Sequence, residues 1–488
     1  MLLERIYEWA RSQPTKTAVV LGDVAINYAS FSRAIDAARR FLEPHALPPG
    51  RTAIVLVHSR PEAWILLLAL RSLGLNTICI DAIEQAELPN LRNVAFVVVT
   101  QSELNSHRLE AKTLAGINVL TVPRAIYANI HIGELPVIES NAIPCGGHII
   151  FTSGTTSSFG KALLDSTCED LRNEWRARLY SFSKDTISFE YYKPWSGVGA
   201  KSPAAVWHAG GCVVFDSLNR MFRHGVNSTT LVPLTLKELV QSLDRSEPPH
   251  HDCELFVTSG FLSNFSINEA TTLAEEVMNR VTKQLGFTYA PSELGTPLLL
   301  SRVGATKDMH WLTPDEGRTI EIVDENGNVC REGELRFLLT EVDCTSYLDD
   351  AEASAKVFRN GFFYSGDMAV RRPDGRIRIL GRVDGVVNLQ GKKYPVAPFE
   401  HAIQQLLGVD EVCVFSGLNA AGVVELAIAI QSSRQLSRSE LEAVARQCAP
   451  FERVRFTVLD EFPRTETGTR KTRRSVLRKL LFGESPAK

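Results

Sequence analysis

Residues 148–164, HIIFTSGTTSSFGKALL, hold the densest group of side chains suited to phosphate chemistry. The segment is apolar and β-branched up to Phe151. It then breaks into Thr152, Ser153, Gly154, Thr155, Thr156, Ser157 and Ser158. Glycine lets a backbone approach an anion closely, successive N–H groups form a concave nest, and hydroxyls add rotatable donors. Lys161 supplies a positive charge at the far end. A strand that ends in such a loop is a candidate phosphate cradle. A Ser/Gly/Thr cluster after a strand is also an ordinary solvated turn, so the loop alone decides nothing.

The P-loop of nucleotide hydrolases needs four residues between its first Gly and its Gly-Lys, then Ser or Thr for Mg²⁺. Here five residues separate Gly154 from Gly160, and Ala162 stands where the hydroxyl belongs. Phe151–Thr156 instead resembles the aromatic-TSGTTG-x-P-K-G loop of the adenylate-forming superfamily of acyl-CoA synthetases, peptide-synthetase adenylation domains and luciferases. Four further segments follow in that superfamily's order. Tyr289-Ala290-Pro291-Ser292-Glu293 is similar to Y-G-x-T-E, and Phe362–Asp367 (FFYSGD) to an aromatic pair before a Ser/Thr-Gly-Asp triplet. Gly381-Arg382-Val383-Asp384 matches the GR-x-D hinge, and Pro463–Gly468 resembles P-R-T-x-S/T-G-K. The resemblance covers nearly the whole chain.

The resemblance implies the roles. Thr152, Ser153, Gly154, Thr155, Thr156 and Lys161 would hold the β- and γ-phosphates of ATP, with Thr155 counted among the catalytic groups. Glu293 would lie by Mg²⁺, a hard cation that favours carboxylate oxygen. Tyr289 would stack on adenine. Asp367 would accept both ribose hydroxyls, and Arg382 would contact ribose or phosphate. Asp384 would be the hinge between a large domain, 1–381, and a small mobile one, 382–488. The acid pocket would involve Trp195–Gly199 and Thr258–Phe261.

Several positions depart from the pattern. The loop lysine falls at Gly160, with Lys161 one residue late, and Ser157 and Phe159 replace a glycine and a proline. Asn388 stands where many members carry lysine. The closing Gly-Lys is Gly468-Thr469. Threonine cannot supply the charge that bridges carboxylate and α-phosphate, so Lys471 is the candidate replacement. Residues two apart on an extended segment share a face about 6.6 Å apart, within a lysine's reach. On a helix they would lie about 200° apart and the replacement would fail.

Composition sets the class. At 488 residues the chain expects more than one domain; 44% hydrophobic and 22% charged residues are the balance of a globular protein. The net charge of −3 provides no drive toward nucleic acid. Nine dispersed cysteines without paired spacing read as reduced thiols of a cytoplasmic protein. His250-His251-Asp252-Cys253 has no second ligand cluster and reads as a loop entering a strand. The longest apolar run, Ala63–Leu70, is too short to span a bilayer. The charged N-terminus is no signal peptide. The basic run Arg470–Arg474, with Arg478 and Lys479, reads as the solvated face of a last helix that turns Val476, Leu477, Leu480 and Leu481 inward.

Strand-like runs at 53–57, 77–80, 96–100, 119–122, 212–215, 230–232 and 255–258 alternate with helical ones at 61–73, 234–243 and 268–281. This βαβ rhythm predicts layered sheets with ligands at the strands' carboxyl ends. From Thr319 two strands around an Asn-Gly turn announce antiparallel structure, continued by short strands at 377–380 and 386–389. After 399 come helix, strand, strand, helix, strand. The expected fold is α/β: a large N-terminal domain of layered βαβ sheets with a small antiparallel β subdomain, then a small α+β C-terminal domain.

The expected function is ATP-dependent adenylation of a small carboxylic acid followed by acyl transfer, with ATP, Mg²⁺ and CoA as cofactors. CoA is the preferred acceptor because no carrier domain follows the closing motif. An amine or a carrier-protein thiol is the alternative acceptor. A nucleotide-binding protein with weakened adenylation is the reading from another class.

Overall fold

The computed structural model describes the chain apart from residues 46–47, 81–90, 92, 107–112, 115–116, 128–129, 132, 138–144, 153–159, 244–248, 251, 259–266, 304–307, 325, 384–385, 390–391, 419–423, 448–453, 465–471 and 483–488. Two large sheets dominate. One has nine strands, in the order 313–314, 299–303, 285–289, 254–258, 228–231, 187–189, 212–215, 17–21 and 24–27. Its six central strands run parallel. Most of them read as short apolar runs, as strands buried on both faces do, although Ser228–Leu231 (STTL) carries three hydroxyls. The other sheet has seven strands, in the order 113–114, 117–122, 94–100, 52–56, 76–79, 148–151 and 161–164.

The helices Tyr28–Leu42, Arg60–Ser72 and Gly197–His208 lie in the core between these sheets. Trp207 is fully buried at the centre, 5.1 Å from both the Phe31 and Trp64 rings, and its indole N–H donates to Ala18 O. Such an aromatic can be fully buried because its one polar atom finds a partner.

A third, antiparallel sheet is built on the strand Phe362–Arg371, which pairs with Glu332–Leu338, Phe358–Arg359 and Ile377–Arg382. The expected turn between the strands Ile320–Val323 and Glu332–Leu338 is present, with Gly327 at φ +82°. Beyond it the hairpin of Val386–Leu389 and Lys392–Pro395 leads to a three-stranded sheet, Glu411–Leu418, Val424–Gln431 and Val454–Leu459. The helices Ala397–Leu407, Arg438–Gln447 and Arg474–Phe482 accompany that sheet. Two buried apolar clusters there draw only on residues from Val396 onward, so this part has cores of its own.

The last helix corrects one expectation. Leu477 and Leu481 are buried, but Leu480 is 66% exposed, so the apolar face is narrower than the sequence suggested. Arg474 is not merely solvated. Its guanidinium donates to Glu400 Oε1 at 2.7 Å and sits over the Phe415 ring. The His250 ring stacks on Phe222 at 3.7 Å, a packing role. No described helix is long and apolar enough to cross a membrane. The eight described cysteines are all free thiols.

Candidate active site

The Ser/Thr-rich loop joins two antiparallel strands, His148–Phe151 and Lys161–Leu164, with Phe151 opposite Lys161. A P-loop connects a strand to a helix, so this hairpin agrees with the spacing mismatch in setting that reading aside. Ser153, Gly154, Thr155 and Thr156 lie outside the described residues. The foot of the loop is described. Thr152 N–H donates to Gly160 O at 2.8 Å, while the buried Thr152 hydroxyl finds no partner among the described residues. Buried hydroxyls are nearly always paired, so this one marks a place for a polar ligand or a loop residue. Lys161 is a buried strand residue whose carbonyl accepts from Leu348 N–H.

Gly160 is packed against what lies above it. A Cβ there would stand 2.6 Å from Thr152 Oγ1 and 2.7 Å from the Tyr347 ring. Tyr347 pairs with Ala162 as an isolated antiparallel bridge, and its phenol donates to Glu293 Oε1 at 2.7 Å. The end of the Ser/Thr-rich hairpin and the carboxylate expected to lie by Mg²⁺ are therefore joined through one tyrosine. Tyr347 lies outside the Phe362–Asp367 motif, and the sequence assigned it no role.

Glu293 follows the strand Leu285–Tyr289, at the carboxyl end of the parallel part of the nine-stranded sheet. Tyr289 ends that strand. Its ring stacks on Phe337 with centroids 6.0 Å apart, and its phenol donates to Asp367 Oδ2 at 2.5 Å. Asp367 is half-buried. It faces Arg382 in the register between the strands Phe362–Arg371 and Ile377–Arg382, so two motifs are neighbours through their backbones. Gly366, at φ +68°, turns the chain just before the carboxylate, and Asp367 N–H donates to Ser365 Oγ at 3.2 Å. A positive φ is where glycine is at home. Asp384 and Lys471 lie outside the described residues. Thr472 pairs with Arg464 in an antiparallel bridge, so the chain is extended where it leaves that segment.

Beneath Glu293 is a layer of buried charge. Arg318 and Asp343 form a fully buried ion pair at 2.6 Å, and Asp343 Oδ1 also accepts from Gly295 N–H at 2.9 Å. Arg71 and Glu169 pair at 2.7 Å, and Arg176 Nη2 donates to Gly295 O at 2.5 Å. Burial, reinforced by nearby Arg176, pulls the Lys201 ammonium down to about 7. The carboxyl of Glu190 is pushed up to about 7 by burial, while the Ser202 and Ser188 hydroxyls, which donate to its Oε1, pull it the other way. A helix of small residues, GVGAKSPAAVWH, carries Lys201. A single lysine among small and apolar residues was the signal that sequence reasoning missed. In the expected acid pocket, Trp195 is buried and takes the Lys193 ammonium over its ring at 4.5 Å; residues 259–261 lie outside the described ones.

No family model matches the chain. The pseudomonine synthase of Pseudomonas entomophila is 24% identical over 447 residues, which cover 82% of this chain and 70% of that protein. Acetyl-coenzyme A synthetase 1 of Candida glabrata is 36% identical over 140 residues, 26% of this chain and 20% of that enzyme. The chain thus matches only about a fifth of that enzyme's length. A solved structure of o-succinylbenzoate coenzyme A synthetase from Bacillus subtilis, in complex with ATP and magnesium ion, superposes with a TM-score of 0.79 at 17% identity. It covers 97% of this chain and 99% of that one. At that identity the superposition establishes the fold. By a long alignment at 24% identity, a local one at 36% and the shared fold, the chain is similar to these enzymes, and its motifs stand in the order of the adenylate-forming superfamily that it resembles.

Proposed function

We propose that the protein activates a small carboxylic acid with ATP and transfers the acyl group to the thiol of coenzyme A. A carboxylate is a poor electrophile because oxide is a prohibitive leaving group. Its oxygen attacks the α-phosphorus of ATP, pyrophosphate leaves, and an acyl-adenylate remains. The thiol then attacks the acyl carbon, AMP leaves with the bonding electrons, and the thiol proton passes to solvent. The protein's work is positioning and charge compensation.

One observation carries this reading: contacts gather four motifs that are far apart in sequence. Gly160 packs on Tyr347, which bonds Glu293, while Tyr289 bonds Asp367, which faces Arg382. Glu293 and Tyr289 belong to one motif, so these contacts meet at the carboxyl end of the strand Leu285–Tyr289. On this reading Thr152 and the loop beyond it bind the triphosphate, and Asp367 binds the ribose with Tyr289 orienting it. Tyr289 also lies against the adenine, and Arg382 reaches ribose or phosphate.

The residues present fit Mg²⁺. Glu293 is a buried carboxylate steadied by a phenol, the hard oxygen such a cation takes. Bound there, Mg²⁺ would offset charge on the phosphates. The Thr152 hydroxyl, without a partner among the described residues, fits a phosphate oxygen. Asp384 is the hinge between units 1–381 and 382–488, and Lys471 replaces the missing lysine at Thr469. Free thiols and the chemistry favour the cytoplasm.

Coenzyme A is the acceptor supported by the name of the acetyl-coenzyme A synthetase relative and, from the sequence alone, by Gly391, which lies outside the described residues and whose lack of a side chain suits a passing pantetheine arm. The test is to incubate the protein with ATP, a panel of acids, and either CoA or amino acids, then weigh the products. A thioester is expected. An amide without any thioester would move the acceptor to an amine.

A further inference from the structure

Lys201 is the one lysine of the helix Gly197–His208, and its side chain is buried beside the segment that carries Glu293. Its ammonium donates to Ser292 O at 2.8 Å and to Leu294 O at 2.7 Å, the carbonyls on either side of Glu293. The other carbonyls here are also taken. Glu293 O accepts from Cys344 N–H at 3.1 Å, and Gly295 O from Arg176 at 2.5 Å. Four consecutive carbonyls, 292–295, therefore each have a donor, and Lys201 supplies two of them. A tight turn whose carbonyls all point at fixed donors has one conformation, and the side chain it carries inherits that fixity.

The helix is built to bring Lys201 there. Ser196 caps its first turn by accepting from Gly199 N–H at 3.0 Å. Gly197 lies against Ser292, where a Cβ would stand 3.0 Å from the hydroxyl. Gly199 is required for the close approach, since a Cβ there would stand 2.1 Å from Lys193 O. The cost is an ammonium that burial disfavours, near Arg176 and Arg172, with Cys344 and Glu293 acting the other way. Burying an ammonium beside two arginines is unfavourable, and a neutral methionine would fill the same channel without that cost. Its presence calls for a function other than stability.

We propose that Lys201 is a positioning residue for the cation site: it clamps the Glu293 turn from below, so that the carboxylate meets the metal in one orientation. Because the role of Glu293 rests on the adenylation reading, the experiment separates the two. Lys201→Met is made in the full chain, and amide hydrogen exchange is followed at Cys344 and Gly295. Binding of Mn²⁺ in the presence of ATP is titrated by electron paramagnetic resonance.

Exchange at Cys344 at least tenfold faster, with Mn²⁺ binding about tenfold weaker and the strands 424–431 and 454–459 unchanged, supports the clamp. Neither readout needs acyl transfer, so the clamp can stand even if no acid is ever activated. Wild-type exchange at Cys344, or faster exchange with unaltered Mn²⁺ binding, overturns it. A variant with equal rises in KM for acid and ATP and unaltered Mn²⁺ binding also overturns it. Lys201→Arg, which keeps two donors, serves if the Met variant fails to fold. It should retain protection at Cys344 and near-normal Mn²⁺ binding, and normal protection with lost Mn²⁺ binding would contradict the clamp.

Discussion

The phenol of Tyr289 donates to Asp367 Oδ2 across 2.5 Å, joining the end of a central strand of the nine-stranded sheet to the antiparallel sheet. The carboxylate is thereby held in one rotamer before any ligand arrives. If it then binds the ribose, it costs little to organise.

Asp367→Ala should leave the fold intact, because the residue is half-buried beside a glycine turn. It removes a charged hydrogen-bond partner, worth about 1.5–3 kcal/mol, so the apparent KM for ATP should rise roughly 10- to 150-fold. ATP affinity equal to wild type would contradict the assignment of this motif.

Glu293→Gln keeps an oxygen to accept from the Tyr347 phenol and removes only the charge. The thermal midpoint should stay close to wild type. The Mg²⁺ concentration for half-maximal pyrophosphate exchange should rise about tenfold or more, since a neutral amide is a poorer ligand for a hard cation. An unchanged Mg²⁺ requirement would remove Glu293 from the cation site.

Glu190 makes a prediction about pH. Burial raises its carboxyl to about 7 from an ordinary 4.5, so the folded protein holds a proton that the unfolded chain releases across that window. Stability contributed by this group is present below about pH 4.5 and is lost as pH rises toward 7, by about 3 kcal/mol in all. Glu190→Gln should flatten that part of the stability curve, measured by denaturant titration at several pH values. A wild-type slope in the variant would show that Glu190 is not the group responsible.

Strand positions were legible because buried parallel strands read as apolar runs: 212–215 was found to the residue, and 255–258 within one. The FFYSGD and GR-x-D segments were legible as neighbours in order, and the structure pairs Asp367 with Arg382. The strand Lys161–Leu164 was not legible, because KALL has no β signature and forms a strand only by pairing with His148–Phe151. The helix Gly197–His208 was hidden for the opposite reason. Two glycines and Pro203 argue against a helix, and burial of Trp207 and Val206 overrides that preference. With the helix went Lys201, whose partners lie 91 and 93 residues away. Tyr347 was in view, but nothing local says that its phenol reaches Glu293.

Lys471 carries the prediction with the widest consequence for the first half-reaction. Thr469 and Lys471 lie outside the described residues; beside them Arg464 and Thr472 form an antiparallel bridge, and the last helix begins only at Arg474. Lys471→Ala should lower adenylation by about a hundredfold or more, while transfer from a supplied acyl-adenylate survives. Thr469→Lys should raise adenylation. Pyrophosphate exchange unchanged in the Lys471 variant would leave the missing charge to another residue.

The central claim is that the contact network around Glu293 and Asp367 serves carboxylate adenylation. ATP–pyrophosphate exchange, run on the wild-type protein with a broad panel of carboxylic acids, tests it most directly. At least one acid should drive Mg²⁺-dependent return of labelled pyrophosphate into ATP, and Asp367→Ala should abolish it at low ATP. ATP binding with no exchange for any acid would contradict the account and leave a nucleotide-binding protein that has lost the chemistry.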